Sequence, residues 1–399
     1  MKTLSYIGSL LLLLAMGCRK VTYNSIGKPA YFRFFNSMNY LITPATKDEP
    51  QPYLAMVVDP QFDANGVVTG GAVVGDFLDK RATYAPPYPA NAGNTSVDNY
   101  EYPGSEKVLV GPILNGFDLS SWAQIASGKH RFVFYSRPVS QTPFFQLAAN
   151  QRKFVFADTT VDLAEGEVYT MELLQHDVYS NPVQIDFYMR QEQFTKLSFD
   201  DSLCYVNFYN LGADGFTAQA IAQQGTQGGG NYIQDTMNIY MTLHYPDSAS
   251  WPGNAVVPGY QYIPVNAVIR SHNSGVAPYI SFPVFPAYAG VDTTFTRSGI
   301  WEEFMFLSPD YYPALGSFPS YNASLGDYAV LACTSRYYQK GNYGPPNNDA
   351  YLSPNLIITI PSGTSGNRSF STISTVEVIN NQAYVMSVQR QYAPPVETY

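Results

Sequence analysis

A short aromatic segment, AYFRFFNS at 30–37, returns as CYVNFYNL at 204–211, with Tyr31 falling on Tyr205, 174 residues on. Phe34 then meets Phe208, Phe35 meets Tyr209 and Asn36 meets Asn210. A second match sets TTVDLAEGEVYTMELL (159–174) against STVEVINNQAYVMSVQ (374–389), aligning Val161 with Val376, Tyr169 with Tyr384 and Met171 with Met386. A third, weaker one sets GKHRFVFYS (128–136) against GDYAVLACT (326–334). The matches keep their order along the chain while the offset grows. That is the behaviour of two copies of one unit, the second carrying longer loops.

The local pattern within the copies is that of strands. In GEVYTMELL, Val168, Thr170, Glu172 and Leu174 fall on one side of an extended chain, and Tyr169, Met171 and Leu173 on the other. Further strand candidates are YLAMVVD, KVLVGPI, RFVFYS, VQIDFYM, MNIYMTL, YIPVNAVIR, EEFMFL, YAVLAC and NLIITI, separated by stretches dense in Gly, Pro, Asn and Ser. About seven strands per copy predict an all-β chain of two tandem antiparallel β-sandwich domains, immunoglobulin-like with long loops. A barrel is the other closed arrangement. The expected division is 30–195 for the first sandwich and 196–399 for the second, with the border in the polar stretch RQEQFTKLSFDD (190–201).

The chain opens on LSYIGSLLLLLAMGCRK, whose apolar run from Leu4 to Met16 is shorter than the roughly 20 residues a membrane span needs. It suits a removed signal over 1–17, and the run Ala15-Met16-Gly17-Cys18 resembles a lipobox, with Ala15 where leucine is usual. Cys18 is then the lipid attachment site and 18–29 a tether. Plain secretion, in the periplasm or outside, is the alternative that Ala15 leaves open. The opening aromatic strand ending in Asn36 or Asn210, and the closing strand with Tyr after a small turn, resemble a family of β-sandwich domains of unknown function. These occur, often in tandem, in cell-envelope lipoproteins of Bacteroidota-type bacteria. The resemblance implies a β-sandwich fold and a place at the outer membrane or cell surface. It implies no activity and no functional residues.

Composition narrows the partners. The net charge is −9, and no basic run exceeds Arg19-Lys20, so nothing offers a phosphate backbone the cationic face it requires. No nucleic-acid partner is expected; the partners expected are a membrane, through the lipid, and a glycan or another envelope protein. With Cys18 acylated, Cys204 and Cys333 are free to form a disulfide, or each is a small buried residue. His130, His176, His244 and His272 stand singly with no metal-ligand spacing, and neither a nucleophile elbow nor a P-loop is present. Asp59, Asp63 and Asn65 are spaced loosely like a calcium loop but lack its closing acid. The adjacent acids Asp200-Asp201 and Glu302-Glu303 point to opposite faces of a strand and are expected on the solvated surface. No metal, cofactor or catalytic residue is therefore expected.

The segments 83–104, 309–322 and 335–354 mix Tyr with Pro, Gly, Asn and Ser. Tyrosine offers a rigid ring and a hydroxyl at small entropic cost, which suits recognition loops. Tyr84, Tyr88, Tyr311, Tyr312, Tyr337, Tyr338 and Tyr343 are the candidate ligand-binding residues; packing of long loops onto the sandwich would account for them equally. The expected function is binding or adhesion without catalysis. The alternatives are a glycan-binding component of an outer-membrane carbohydrate uptake system and a pilus-like structural subunit.

Overall fold

A computed structural model describes residues 26–38, 43–81, 88–89, 108–219, 234–244, 256–283 and 301–307, then shorter strand and turn segments through 390. The candidates Cys18, Tyr84 and Tyr343 lie outside the described residues, as does the glycine-rich stretch 223–232. The first half of the chain contributes β1 (Pro29–Asn36), β2 (Leu54–Val58), β3 (Gln61–Phe62), β4 (Val68–Gly70), β5 (Val73–Leu78), β6 (Ile113–Leu114), β7 (Phe117–Asp118), β8 (Ala123–Ala126), β9 (Gly128–Ser136), β10 (Val155–Leu163), β11 (Val168–Gln175) and β12 (Ile185–Gln191). The second half contributes β13 (Leu203–Asn210), β14 (Thr236–His244), β15 (Ile263–Ile269), β16 (Ile280–Pro283), β17 (Trp301–Leu307), β18 (Tyr311–Pro313), β19 (Ser320–Ser324) and β20 (Ala329–Cys333). It ends with β21 (Tyr337–Gln339), β22 (Asn355–Pro361), β23 (Thr364–Ser365), β24 (Arg368–Ser369), β25 (Ile373–Ile379) and β26 (Gln382–Val388). The fold is all-β and sandwich-like, as the alternation and turn chemistry require.

In the first half the sheets β12-β11-β1-β8 and β10-β9-β2-β5 pack face to face. Phe32, Phe34 and Met171 from one meet Met56, Phe132 and Phe134 from the other, all fully buried. In the second half β16-β13-β25-β26 packs on the six-stranded sheet β15-β14-β17-β22-β20-β19. There Val206, Phe208 and Val376 meet Ile239, Phe304 and Ile358. The order β12-β11-β1-β8 repeats as β26-β25-β13-β16, and β10-β9-β2-β5 repeats as β22-β17-β14-β15. The β19–β20 hairpin is an addition outside β22.

These registers correct two of the three sequence matches. Each opening strand pairs in parallel, β1 with β11 and β13 with β25, so each inner sheet departs from the antiparallel pattern at one place. Phe35 lies beside Glu172, and Tyr209 beside Glu377, which makes Glu172 the counterpart of Glu377. Tyr384 and Met386 sit one strand further on, in β26, and are not counterparts of Tyr169 and Met171. The similarity of "turn, then Tyr-x-Met" reflected hairpin form and not place in the sheet. Likewise β9 (128–136) has β17 as its counterpart, while 326–334 supplies the added strand β20.

The repeated asparagine has a physical reason. Asn36 ends β1 and its Nδ2 donates to the carbonyls of Pro52 (2.6 Å) and Leu78 (3.0 Å). Asn210 ends β13 and donates to Gln234 (2.9 Å) and Asp235 (3.3 Å). Each side-chain oxygen also accepts the amide two residues on, Met38 or Gly212. One side chain thus satisfies backbone groups where the chain leaves the inner sheet for the outer one.

Candidate functional site

Successive residues of a strand face opposite ways. With Ala30, Phe32 and Phe34 committed to the first core, Tyr31, Arg33 and Phe35 face outward, yet they too are buried. On the other half Val206 and Phe208 face the second core, and Tyr205, Asn207 and Tyr209 face the opposite way. The two inner sheets meet along these faces. At one end of the seam Tyr31, Trp122, Val168 and Phe194 pack with Ile373 and Tyr205; at the other, Leu174 and Tyr188 pack with Tyr209, Leu211 and Ile379.

Between these apolar ends lie three arginines and three glutamates. Arg81 Nη1 reaches Glu377 Oε2 at 2.5 Å and Glu172 Oε2 at 3.3 Å, so one guanidinium joins the two equivalent acids across the seam. Arg190 spans Glu377 Oε1 (2.7 Å) and Glu192 Oε1 (3.0 Å), and Arg33 lies 3.8 Å from Glu192. Thr170 donates to Glu192 at 2.6 Å and Ser37 to Glu172 at 2.5 Å. Aromatic rings cover the cations: Arg81 lies 4.0 Å from the Phe35 ring centre and 4.2 Å from that of Tyr384, Arg33 4.2 Å from Trp122, and Arg190 4.3 Å from Tyr209. Within the connection 192–202, Glu192, Phe194 and Thr195 are buried, while residues 196–198 and 200–202 are exposed.

The electrostatics are asymmetric. Burial opposes ionisation of Glu377, but Arg81 and Arg190 outweigh it and hold its carboxyl at about 2. For Glu172, burial and the neighbouring Glu377 charge prevail over Arg81, pushing the carboxyl up to about 8. Burial brings Arg33 down to about 10. The signs follow by linkage. The lowered Glu377 contributes stability above the ordinary glutamate range and loses it as pH falls toward 2. The raised Glu172 contributes below that range and loses it as pH rises through about 8. Urea midpoints are therefore expected to fall between pH 5.5 and 8.5, and Glu172→Gln is expected to flatten that decline.

His244, His130 and Asp63 are engaged elsewhere. His244 Nε2 lies 2.6 Å from Glu303 Oε2, both buried, and Glu302 turns the other way toward the second core. Burial drives the Glu302 carboxyl well above the ordinary range. This pair of acids is thus interior, contrary to the surface expectation. His130 bridges Asp59 and the Ala126 carbonyl, each at 2.7 Å. Asp63 accepts the amides of Asn65 and Val67 and so closes the β3–β4 turn. Among the described residues no group of three or more His, Cys, Asp and Glu side chains is arranged to hold a metal.

Cys204 is a free, buried thiol whose pKa is pushed up to about 12 by burial, which for Cys204 matches the second of the two readings left open, a small buried residue. With Val206 and Phe208 it points into the second core. Tyr88 belongs to the first core, stacked on Phe32 at 5.6 Å, and not to an open loop. Tyr311 and Tyr312 in β18 pair with Gln339 and Tyr338 in β21, and Pro313 pairs with Tyr337. Four of the seven candidate tyrosines thus share one two-stranded ribbon, built from segments far apart in sequence. Both strands belong to the stretch between β17 and β22 that enlarges the second half.

The histidine–carboxylate pairs escaped the sequence because their members are 10 to 86 positions apart, and the seam because Arg81 stands 91 and 296 positions from Glu172 and Glu377. Glu172 and Glu377 carried the one legible signal, the shared pattern of YTMELL and STVEVI. No family model matches the chain, and no curated protein matches its sequence at a significant level. Among the described residues no helix is long and apolar enough to cross a membrane.

Proposed function

We propose that the chain is a lipid-anchored cell-envelope protein that works by binding or adhesion, without catalysis. On this reading it is two related sandwich domains fused by a buried seam. The observation that carries it is the ribbon of β18 and β21, which gathers Tyr311, Tyr312, Tyr337 and Tyr338 in a region the first half lacks. Tyrosine suits recognition because its ring and hydroxyl cost little side-chain entropy to order. Glycans are the ligand class we favour, since aromatic faces stack on sugar rings while the surrounding Asn and Ser hydrogen-bond their hydroxyls.

A glycan array tests this reading. Selective binding that falls at least tenfold in Tyr337→Ala/Tyr338→Ala supports it; selective binding unchanged by the double substitution would remove the ribbon as the site, and no selective binding at all would remove glycans as the ligand. The anchor is tested separately. Cys18→Ser is expected to move the protein from the membrane fraction to the soluble fraction, and retention on membranes would contradict lipidation at Cys18.

A further inference from the structure

The connection 192–202 crosses between the halves at one end of the seam, where its Phe194 and Phe199 pack on Phe117. At the other end, where β11 runs out and β13 finishes, three side chains outside the ion network converge. His176 follows β11, Asp186 lies in β12, and His272 comes from the second half. Both rings aim Nδ1 at one atom, with Asp186 Oδ2 lying 2.8 Å from His176 and 2.6 Å from His272. The His272 Nε2 faces the carbonyl oxygens of Leu211 (3.0 Å) and Gly212 (3.1 Å).

Every polar neighbour of the His272 ring is therefore an acceptor. A neutral imidazole has one N–H and one lone pair, so either tautomer sets a lone pair against an oxygen. Only the doubly protonated ring satisfies all three partners. The surrounding charges are consistent with a cation there. Asp177 and Asp214 add negative charge near His176, and Arg270 is occupied by Asp214 (2.8 Å) and Asp235 (3.5 Å). No other charged side chain of β11, β12 or 211–219 contacts the cluster. Backbone pairing of Asp177 with Asp214, and Tyr179 lying against Gly215, close the same end.

We propose that Asp186, His176 and His272 form a proton-operated latch across the seam, closed while the cluster holds the protons its acceptors call for and released when one is lost. The covalent crossing at the far end is the hinge, the ion network the pivot, and the latch end opens locally as the medium turns alkaline. His176 acts in the same direction. Its hydrogen bond to Asp186 and that carboxylate's charge raise its pKa, so its contribution is complete below the ordinary histidine range and fades as pH rises through the raised value.

Amide hydrogen exchange of the full chain, corrected for the intrinsic pH dependence, tests the latch. Opening of 211–219 and 270–273 is expected to increase at least tenfold from pH 6.0 to 8.5, while β17 stays unchanged. In His272→Gln both segments are expected to be open at both pH values. Equal opening of the wild type at the two pH values, or the wild-type pH profile persisting in His272→Gln, would overturn the proposal. Should that variant fold poorly, ring nitrogen shifts of His272 in the wild type decide. Two bound protons at pH 6.0 and loss of one in step with the opening support the latch; a neutral ring at pH 6.0 overturns it.

Discussion

Replacing Arg81 by Met is expected to cost about 3–5 kcal/mol, the usual penalty for removing one partner of a buried ion pair. Among the described residues, Arg81 is the single group that makes ion pairs with both equivalent glutamates, Glu172 and Glu377. Methionine leaves two buried carboxyls facing each other with only Arg190 still on Glu377. The loss arises from uncompensated charge, so it is expected to shrink at pH 5.5, where Glu172 keeps its proton, and to grow at pH 8.5. A purely steric role for Arg81 would give the same loss at both pH values. Urea unfolding at the two pH values distinguishes them. Arg81→Lys is expected to recover only part of the loss, because an ammonium cannot reproduce the planar contact with Phe35 and Tyr384.

The second large effect is expected from Phe208→Ala, at about 3–5 kcal/mol for a fully enclosed aromatic ring. Phe208 is buried between the rings of Phe304 (5.1 Å) and Phe306 (5.5 Å). Its counterpart Phe34 packs 4.7 Å from Phe134 in the first core. The two substitutions separate a weak seam from a strong one. If the halves unfold together, each variant lowers the same transition, although the cores are distinct. If the seam is weak, each variant moves only the unfolding of its own half.

How much of this was legible in the sequence depends on the range of the interaction. Strand alternation and turn residues are local, so RFVFYS, VQIDFYM, MNIYMTL and EEFMFL read correctly as β9, β12, β14 and β17. The aromatic strand with its terminal asparagine read correctly as well, because Asn36 and Asn210 do the same backbone work. Strand pairing is not local. Nothing in LAEGEVYTMELL says that it runs parallel to a segment well over a hundred residues earlier, and the Tyr-x-Met match therefore pointed to the wrong strand.

Burial of both faces was the other hidden fact. A charge at alternate strand positions, as at Arg33 and Glu172, ordinarily marks the exposed side of a half-buried strand. They are buried because a second sheet covers them, with opposite charges placed to receive them. Tyr88 failed for a related reason: a proline-rich context signals a loop, but its ring fills the first core beside Phe32. The tyrosines of β18 and β21 read as loop residues, and their meeting in one paired ribbon needed the backbone register.

Calorimetry of the full chain at pH 6.0, wild type beside Phe208→Ala, tests the central claim that the buried seam joins the two halves into one cooperative unit. A single transition is expected in both proteins, shifted as a whole to lower temperature in the variant. Two transitions, with only one displaced by Phe208→Ala, would contradict it.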